Sequence, residues 1–567
     1  GPPGLRTSVT LGRGIGDPVG PPAAGTLRGN AVWTKVNMDL MPPGNDKLTP
    51  AEKDALRAWI LQRTDAPASP RPGTAARPVA AVAADVDRLI DARLAAEGVT
   101  ASPPADDAAF HRRAALDLTG EVPTAEAAAA FLDDPAPDKR AKLVDALLAS
   151  PKFGAHLATG WNNRLVPLDG KNQRVYDGAL TAWLAAAANG NRPWDDVVAD
   201  LLTAEGGADK GKPPTLFRVN PEPKGVAVAA ARHFLGVRLE CAECHNHPTA
   251  AWQQREFWGL AAFFARVRVD KNRVVEGPAP AAKPKPGEKP APPPPPGAAV
   301  RIPDDALANP GAVVRAKFLG GPEPDLPPDG PFRPALADWL TAPDNPFFAR
   351  AAVNRLWAHL FGRGLVHPAD DFDLSNPPSH PELLDLLARE FAASGFDQKH
   401  LLRCLYATRA YHRSGRPAAG HEAADERLFA RMRPKLLTPE QLYASLGVVL
   451  GPQPLTALGG KREAFASFFA APDGDDDGYN HGIAQVMRLL NADVLHRGAA
   501  AVEKAAKKGP DAGAAVDALF LTALARRPSA DERARFVAFV AAAPDPKAGY
   551  AGGLWALLNS AEFVINR

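Results

Sequence analysis

Between residues 274 and 300 the chain reads VVEGPAPAAKPKPGEKPAPPPPPGAAV, and no helix interior or central strand can absorb that run. Proline has no backbone N–H and fixes φ, so repeated prolines favour an extended polyproline conformation. The low complexity offers no side chains from which to build a core. The run predicts a linker over 271–301 between two folded regions. A milder Pro/Ala stretch, APASPRPGTAARPVAAVA, predicts a second linker over 66–83.

Outside these stretches alanine is abundant and tyrosine scarce, so helices should dominate. The expectation is a mainly α, multidomain helical protein with long Pro-rich linkers. A chain of 567 residues allows three or four domains. The folded parts fall at 1–65, 84–270 and 302–567. In the first, Thr49-Pro50-Ala51-Glu52 is a capping box with proline at the first helical position, opening a helix through Leu56, Trp59 and Ile60. In the second, Val226 to Leu239 is a helix candidate, and Trp252, Phe257, Trp258, Phe263 and Phe264 form an aromatic helix face. In the third, capping boxes recur at Ser379/Glu382, Thr438/Gln441 and Ser529/Glu532.

Net charge excludes one class of partner. Lys+Arg 66 against Asp+Glu 64 leaves a formal +2, too weak a field to hold nucleic acid or an anionic membrane. No run of 18 or more apolar residues appears, so no transmembrane segment is predicted. The start Gly1-Pro2-Pro3-Gly4 reads as a processed or truncated product.

Only three cysteines are present, Cys241, Cys244 and Cys404, which excludes a disulfide framework at this length. Two of them belong to Cys241-Ala242-Glu243-Cys244-His245-Asn246-His247-Pro248. C-x-x-C-H is the attachment signature of c-type haem. Thiols one turn apart can add to the two vinyl groups on one porphyrin edge, and the adjacent histidine then faces the iron. His245 is the proximal ligand in this reading. A zinc site would use Cys241 and Cys244 with His247 and His233. A redox disulfide would account for the cysteines but not for His245. The aromatic run Trp252 to Phe264 could wall a haem or form an ordinary core. Met41, in an M-P-P turn before a capped helix, is a candidate distal ligand, with His233, His247 and an open position as rivals.

Three stretches carry a resemblance. The first, residues 4–64, runs from Gly4-Leu5-Arg6 through Met41-Pro42-Pro43 and Leu48-Thr49-Pro50 to Leu56-Arg57-Ala58-Trp59-Ile60. The second, 84–267, includes Arg113-Ala114-Ala115-Leu116-Asp117-Leu118-Thr119-Gly120, Phe234-Leu235-Gly236-Val237 and the cysteine motif. The third, 333–567, includes Asn354 to Leu365, Asp370-Asp371-Phe372, Pro378 to Leu384 and Leu558 to Phe563. Together they resemble the multidomain planctomycete cytochrome c proteins, which join a small cytochrome c domain to two helical domains of unknown function. The resemblance implies that Cys241, Cys244 and His245 hold haem and that His247 belongs to its pocket. It also implies that the first domain's own C-x-x-C-H-G motif would stand just before Gly4.

Asp473-Gly474-Asp475-Asp476-Asp477-Gly478 matches the first six positions of a calcium loop, with Asp473, Asp475 and Asp477 as the ligands. Its twelfth position is Ala484 where the bidentate Glu belongs. His359, His380, Asp370 and Asp371 are close in sequence and rich in acid–base capacity. They could equally be structural, with Arg355 and Arg363 pairing the aspartates and Ser379 and Glu382 capping a helix. The expected function is an exported, periplasmic or otherwise extracytoplasmic, c-type cytochrome-like protein that passes electrons to a redox partner protein. The rivals are an extracytoplasmic enzyme whose C-terminal helical domain acts on a substrate such as a polysaccharide, and a zinc-binding module without catalysis.

Overall fold

Val82, Val86, Ile90 and Leu94 recur every fourth residue, and the helix Val79–Ala96 buries all four. The chain is seen in a computed structural model. It describes residues 76–567 apart from 167–177, 208–212, 248–251, 271, 278–296, 305, 327–330, 374, 452–461, 470–486, 488, 493–494, 496–498 and 508–510. The capping box at Thr49, Met41, Asp473, Asp475 and Asp477 lie outside the described residues.

The fold is mainly α. Among the described residues the sheets are three two-stranded antiparallel pairs: Val267–Asp270 with Arg273–Glu276, Ala299–Arg301 with Val313–Arg315, and Lys435–Leu436 with Ile565–Asn566. Residues 77–392 and 396–567 belong to one compact unit. Its first hydrophobic cluster runs from Val82 to Met432. Its second is built from residues between Leu437 and Phe563, joined by Leu116 and Val122.

The helix Asp107–Thr119 touches both clusters. Phe110, Ala114 and Leu118 enter the first, and Leu116 enters the second. Asp106 caps its start by accepting from the Ala109 N–H, and Gly120 ends it at φ +74°. A Cβ at Gly120 would meet the His156 ring at 2.4 Å, so only glycine fits there. Every residue from Phe110 to Leu118 is buried, charged ones included. Each large apolar side chain buried here contributes roughly 1.5–3 kcal/mol, but the charges must be satisfied. Arg112 donates to the carbonyls of Ala523 and Phe563. Arg113 donates to those of Tyr411 and Arg413. The Asp117 carboxylate accepts from Lys435 Nζ at 2.6 Å, Asn566 Nδ2 at 2.7 Å and the Tyr411 hydroxyl at 2.8 Å. His359 Nε2 donates to the Asp117 carbonyl at 2.7 Å.

Structure enters both stretches expected to be linkers. Val79 to Ala83 begin a helix, and Val82 is fully buried. Val274 is fully buried in its strand, and the strand Ala299–Arg301 lies past the prolines. The reason is compositional: valine and alternating polar residues flank the proline run and can still pair in a ladder. The core also crosses this tract. Arg333, 1% exposed, pairs with Glu276 at 2.7 Å and Glu205 at 2.9 Å, and donates to the Ala204 carbonyl at 2.8 Å.

Two of the expected capping boxes form, at Thr438/Gln441 and Ser529/Glu532. The helix after Ser379 begins only at Pro381, one residue too late for the box read at Ser379/Glu382.

Candidate functional site

The approach to the cysteines is not one continuous helix. The helix Pro223–Ala230 passes into a π turn, Ala231–Leu235, which Gly236 stops at φ +70°. A Cβ on Gly236 would lie 2.7 Å from Phe372 Cδ2, and Phe372 donates its N–H to the Gly236 carbonyl at 2.9 Å. The helix predicted to reach Leu239 therefore ends early, because the Asp370–Phe372 segment packs against its end. Single π turns often mark functional sites.

Asp370 locks this approach. Its carboxylate accepts from Arg232 Nε at 2.5 Å and from Arg238 Nη2 at 2.7 Å. Burial alone would raise its pKa, but hydrogen bonds from Arg238 and Arg232 outweigh it and hold the carboxyl below its usual range. Arg355 donates to the Arg232 carbonyl at 2.7 Å. The arginine partners of Asp370 are thus Arg232 and Arg238, not the Arg355 and Arg363 read from proximity in sequence.

A short 3-10 turn, Glu240–Glu243, then carries Cys241, and Cys244 follows it directly. Both thiols are free and exposed. The backbone beneath them is clamped by the helix Gln254–Ala261, whose own start is closed by a Gln253/Glu256 capping box. Gln254 is fully buried. Its Nε2 donates to the carbonyls of Cys244 at 3.0 Å and Glu243 at 3.3 Å, and its N–H donates to Asn246 Oδ1 at 3.0 Å. Trp258 Nε1 donates to the Glu243 carbonyl at 3.0 Å. From the following hairpin, the Ala308 N–H donates to the Cys244 carbonyl at 3.2 Å, and Asn309 Nδ2 donates to Gln254 Oε1 at 3.0 Å. On the flank, Lys224 pairs with Glu243 at 3.0 Å, and that hydrogen bond raises the lysine pKa.

His245 is half-buried, and its Nδ1 lies 2.6 Å from the Asn246 carbonyl. A carbonyl only accepts, so Nδ1 carries the hydrogen and Nε2 is left as the ring's coordinating atom. His247 is also half-buried, and its N–H donates to the Trp252 carbonyl at 2.8 Å.

The aromatic run resolves as core. Phe257, Phe263 and Phe264 are fully buried, and Phe263 stacks on Phe318 with ring centroids 5.3 Å apart. Trp252 stays half-buried. Among the described residues no three His, Cys, Asp or Glu side chains come together as metal ligands. Cys241, Cys244, His233 and His247 therefore do not form the closed four-ligand set of a structural zinc.

The histidines of the third region are placed apart, in structural roles. His359 holds the Asp117 carbonyl, and His380 Nδ1 lies 3.1 Å from Ser379 Oγ. Burial lowers the pKa of His359, and lowers that of His380 to about 4. Sequence reasoning did not reach Gln254, Asn309 or Trp258 as supports of the motif. The one available signal was a polar pair, Gln253-Gln254, inside an aromatic stretch.

Residues 85–269 match a family described as PSCyt2, protein of unknown function (DUF1549). Residues 332–472 match one described as PSD1, protein of unknown function (DUF1553). The likeness thus falls within the two helical regions of the expected arrangement and stops at residue 472, while no cytochrome c family matches. No curated protein and no solved structure matches the chain.

Proposed function

We propose that Cys241 and Cys244 attach a c-type haem with His245 as proximal ligand, and that the chain serves in electron transfer outside the cytoplasm. One observation carries the reading: two free, exposed thiols on one turn stand before a histidine whose Nδ1–H is already committed to a backbone carbonyl. That second bond fixes the tautomer and ring orientation a metal-ligating histidine needs. The residues fit the group at its attachment edge. They do not fit a deep pocket, because the aromatic side chains that could wall one are spent in the core.

When bound, haem supplies one-electron exchange, with a potential set by its ligands and its exposure. The chain's own part is positional. Gln254, Trp258, Asn309 and the Ala308 N–H fix the carbonyls of Glu243 and Cys244, so the thiols are presented on a rigid backbone. Asp370 fixes the chain entering the turn. The names PSCyt2 and PSD1 fit an association with cytochromes and add nothing about a reaction. No helix among the described residues is long and apolar enough to cross a membrane.

The test is maturation of the whole chain in cells carrying a cytochrome c assembly system. Haem that stays on the denatured polypeptide and adds one haem mass supports the proposal. Protein that matures without haem, or releases it into acid acetone, overturns it.

A further inference from the structure

Away from the cysteine motif, Thr100, Arg363, His421 and Arg431 line a small surface pocket that Phe361 and Phe429 also border. The two rings are buried, with centroids 5.8 Å apart at 72°. Phe429 is held at φ +53°, in the left-handed region, where a bulky residue is strained. Such strain persists only where the surroundings over-determine it, and it gathers at binding sites. Here Phe429 donates its N–H to the Glu426 carbonyl at 3.3 Å, while its own carbonyl accepts from Arg413 Nη1 at 2.7 Å.

Charge on the rim becomes one-sided once internal pairs are assigned. Asp425 is taken by Arg427 at 2.6 Å. Glu426 is taken by Arg433 at 3.4 Å, and Arg433 also donates to the Gly362 carbonyl at 2.9 Å. Hydrogen bonding from Arg427 is the main cause that lowers the Asp425 pKa, and the charge of Arg363 adds to it from further off. Among the described residues the guanidinium groups of Arg363 and Arg431 have no hydrogen-bond or ion-pair partner. A guanidinium presents a planar fork of donors that matches an oxyanion in bidentate fashion. Two such forks suit a small oxyanion.

We infer that this pocket binds a small oxyanion, held by Arg363 and Arg431. The geometry is independent of haem attachment.

Calorimetric titration of the full chain at constant ionic strength tests the inference, with inorganic phosphate, acetate and benzoate as probes. Saturable binding is expected, with phosphate, which offers the most oxygens and charge to the two forks, the tightest of the three. Arg363→Gln and Arg431→Gln should each weaken binding at least tenfold while the melting temperature stays put. Arg88→Gln, the same charge change at an exposed site elsewhere, should leave it intact. Failure of all three probes to saturate, or equal loss in Arg88→Gln, overturns the inference.

Discussion

The carboxylate of Asp370 accepts a hydrogen bond from Arg238 Nη2 at 2.7 Å, so a residue of the second matched stretch grips the chain just ahead of Cys241. Asp370 is buried, and its two arginines are 38% and 39% exposed. Solvent screens the arginine side, so Asp370→Asn should cost about 1–3 kcal/mol, less than a fully buried pair would. The folded-state pKa of Asp370 is depressed. Its contribution is therefore complete above the unfolded carboxylate pKa of roughly 4 and fades as pH falls through the folded value. Urea unfolding of both proteins across acid pH should show the gap closing toward low pH. A gap that does not change with pH would show that the ion pairs are not its source.

Local structure was legible where local physics decides it. Thr438 and Ser529 announced two helices, whereas the fourfold spacing of Val82, Val86, Ile90 and Leu94 begins inside the stretch read as a Pro/Ala linker. The motif Cys241 to His245 could be found by eye. What sequence could not supply was pairing at long range. Asp117 meets Lys435 across 318 residues and Tyr411 across 294, and no periodicity encodes either contact. Composition misplaced the edges of the proline tract, because Val274 and Val300 sit in a low-complexity run yet pair as strands. The aromatic run was ambiguous for a related reason. Spacing tells that Phe257 and Phe264 share a structural role, but not whether a cofactor or the protein's own core fills the space before them.

Two buried histidines should make the protein acid-sensitive above the range where Asp370 acts. Burial lowers His111 and His380 from the ordinary 6.5 to about 4. Both are neutral in the fold, whereas the unfolded chain takes up a proton on each once pH drops below 6.5. Unfolding then gains protons, so stability should fall between about pH 6.5 and pH 4 and level off below. Each histidine accounts for up to about 3 kcal/mol over that window. His380→Gln, which keeps a polar group beside Ser379, should flatten the profile by one proton. An unchanged slope in that variant would remove His380 from the explanation.

Cutting the proline tract should leave the protein whole. Arg333 lies on one side of it and pairs with Glu205 and Glu276 on the other, and the first hydrophobic cluster draws on both sides. A specific protease site placed within residues 284–290 should give two fragments on a denaturing gel. They should co-elute at the size of the intact chain on gel filtration. Separate elution would mean that the proline tract, and not the shared core, holds the halves together.

The two histidines of the motif should behave differently, which bears directly on haem attachment. His245 follows Cys244, and its Nδ1–H is held by the Asn246 carbonyl, which leaves Nε2 to coordinate. His247 is fixed through its backbone, with its N–H on the Trp252 carbonyl. The following Pro248 disfavours helical backbone at His247, so the turn cannot carry it onto the same face as His245. His247 should then act beside the iron rather than on it. His245→Ala should abolish maturation or grossly alter the visible spectrum. His247→Ala should keep covalent haem and shift its potential modestly. Cys241→Ser and Cys244→Ser should each leave one thioether, and the double variant none. Equal loss of haem in both histidine variants would mean that both are ligands. A normal spectrum in His245→Ala would remove it from the iron altogether.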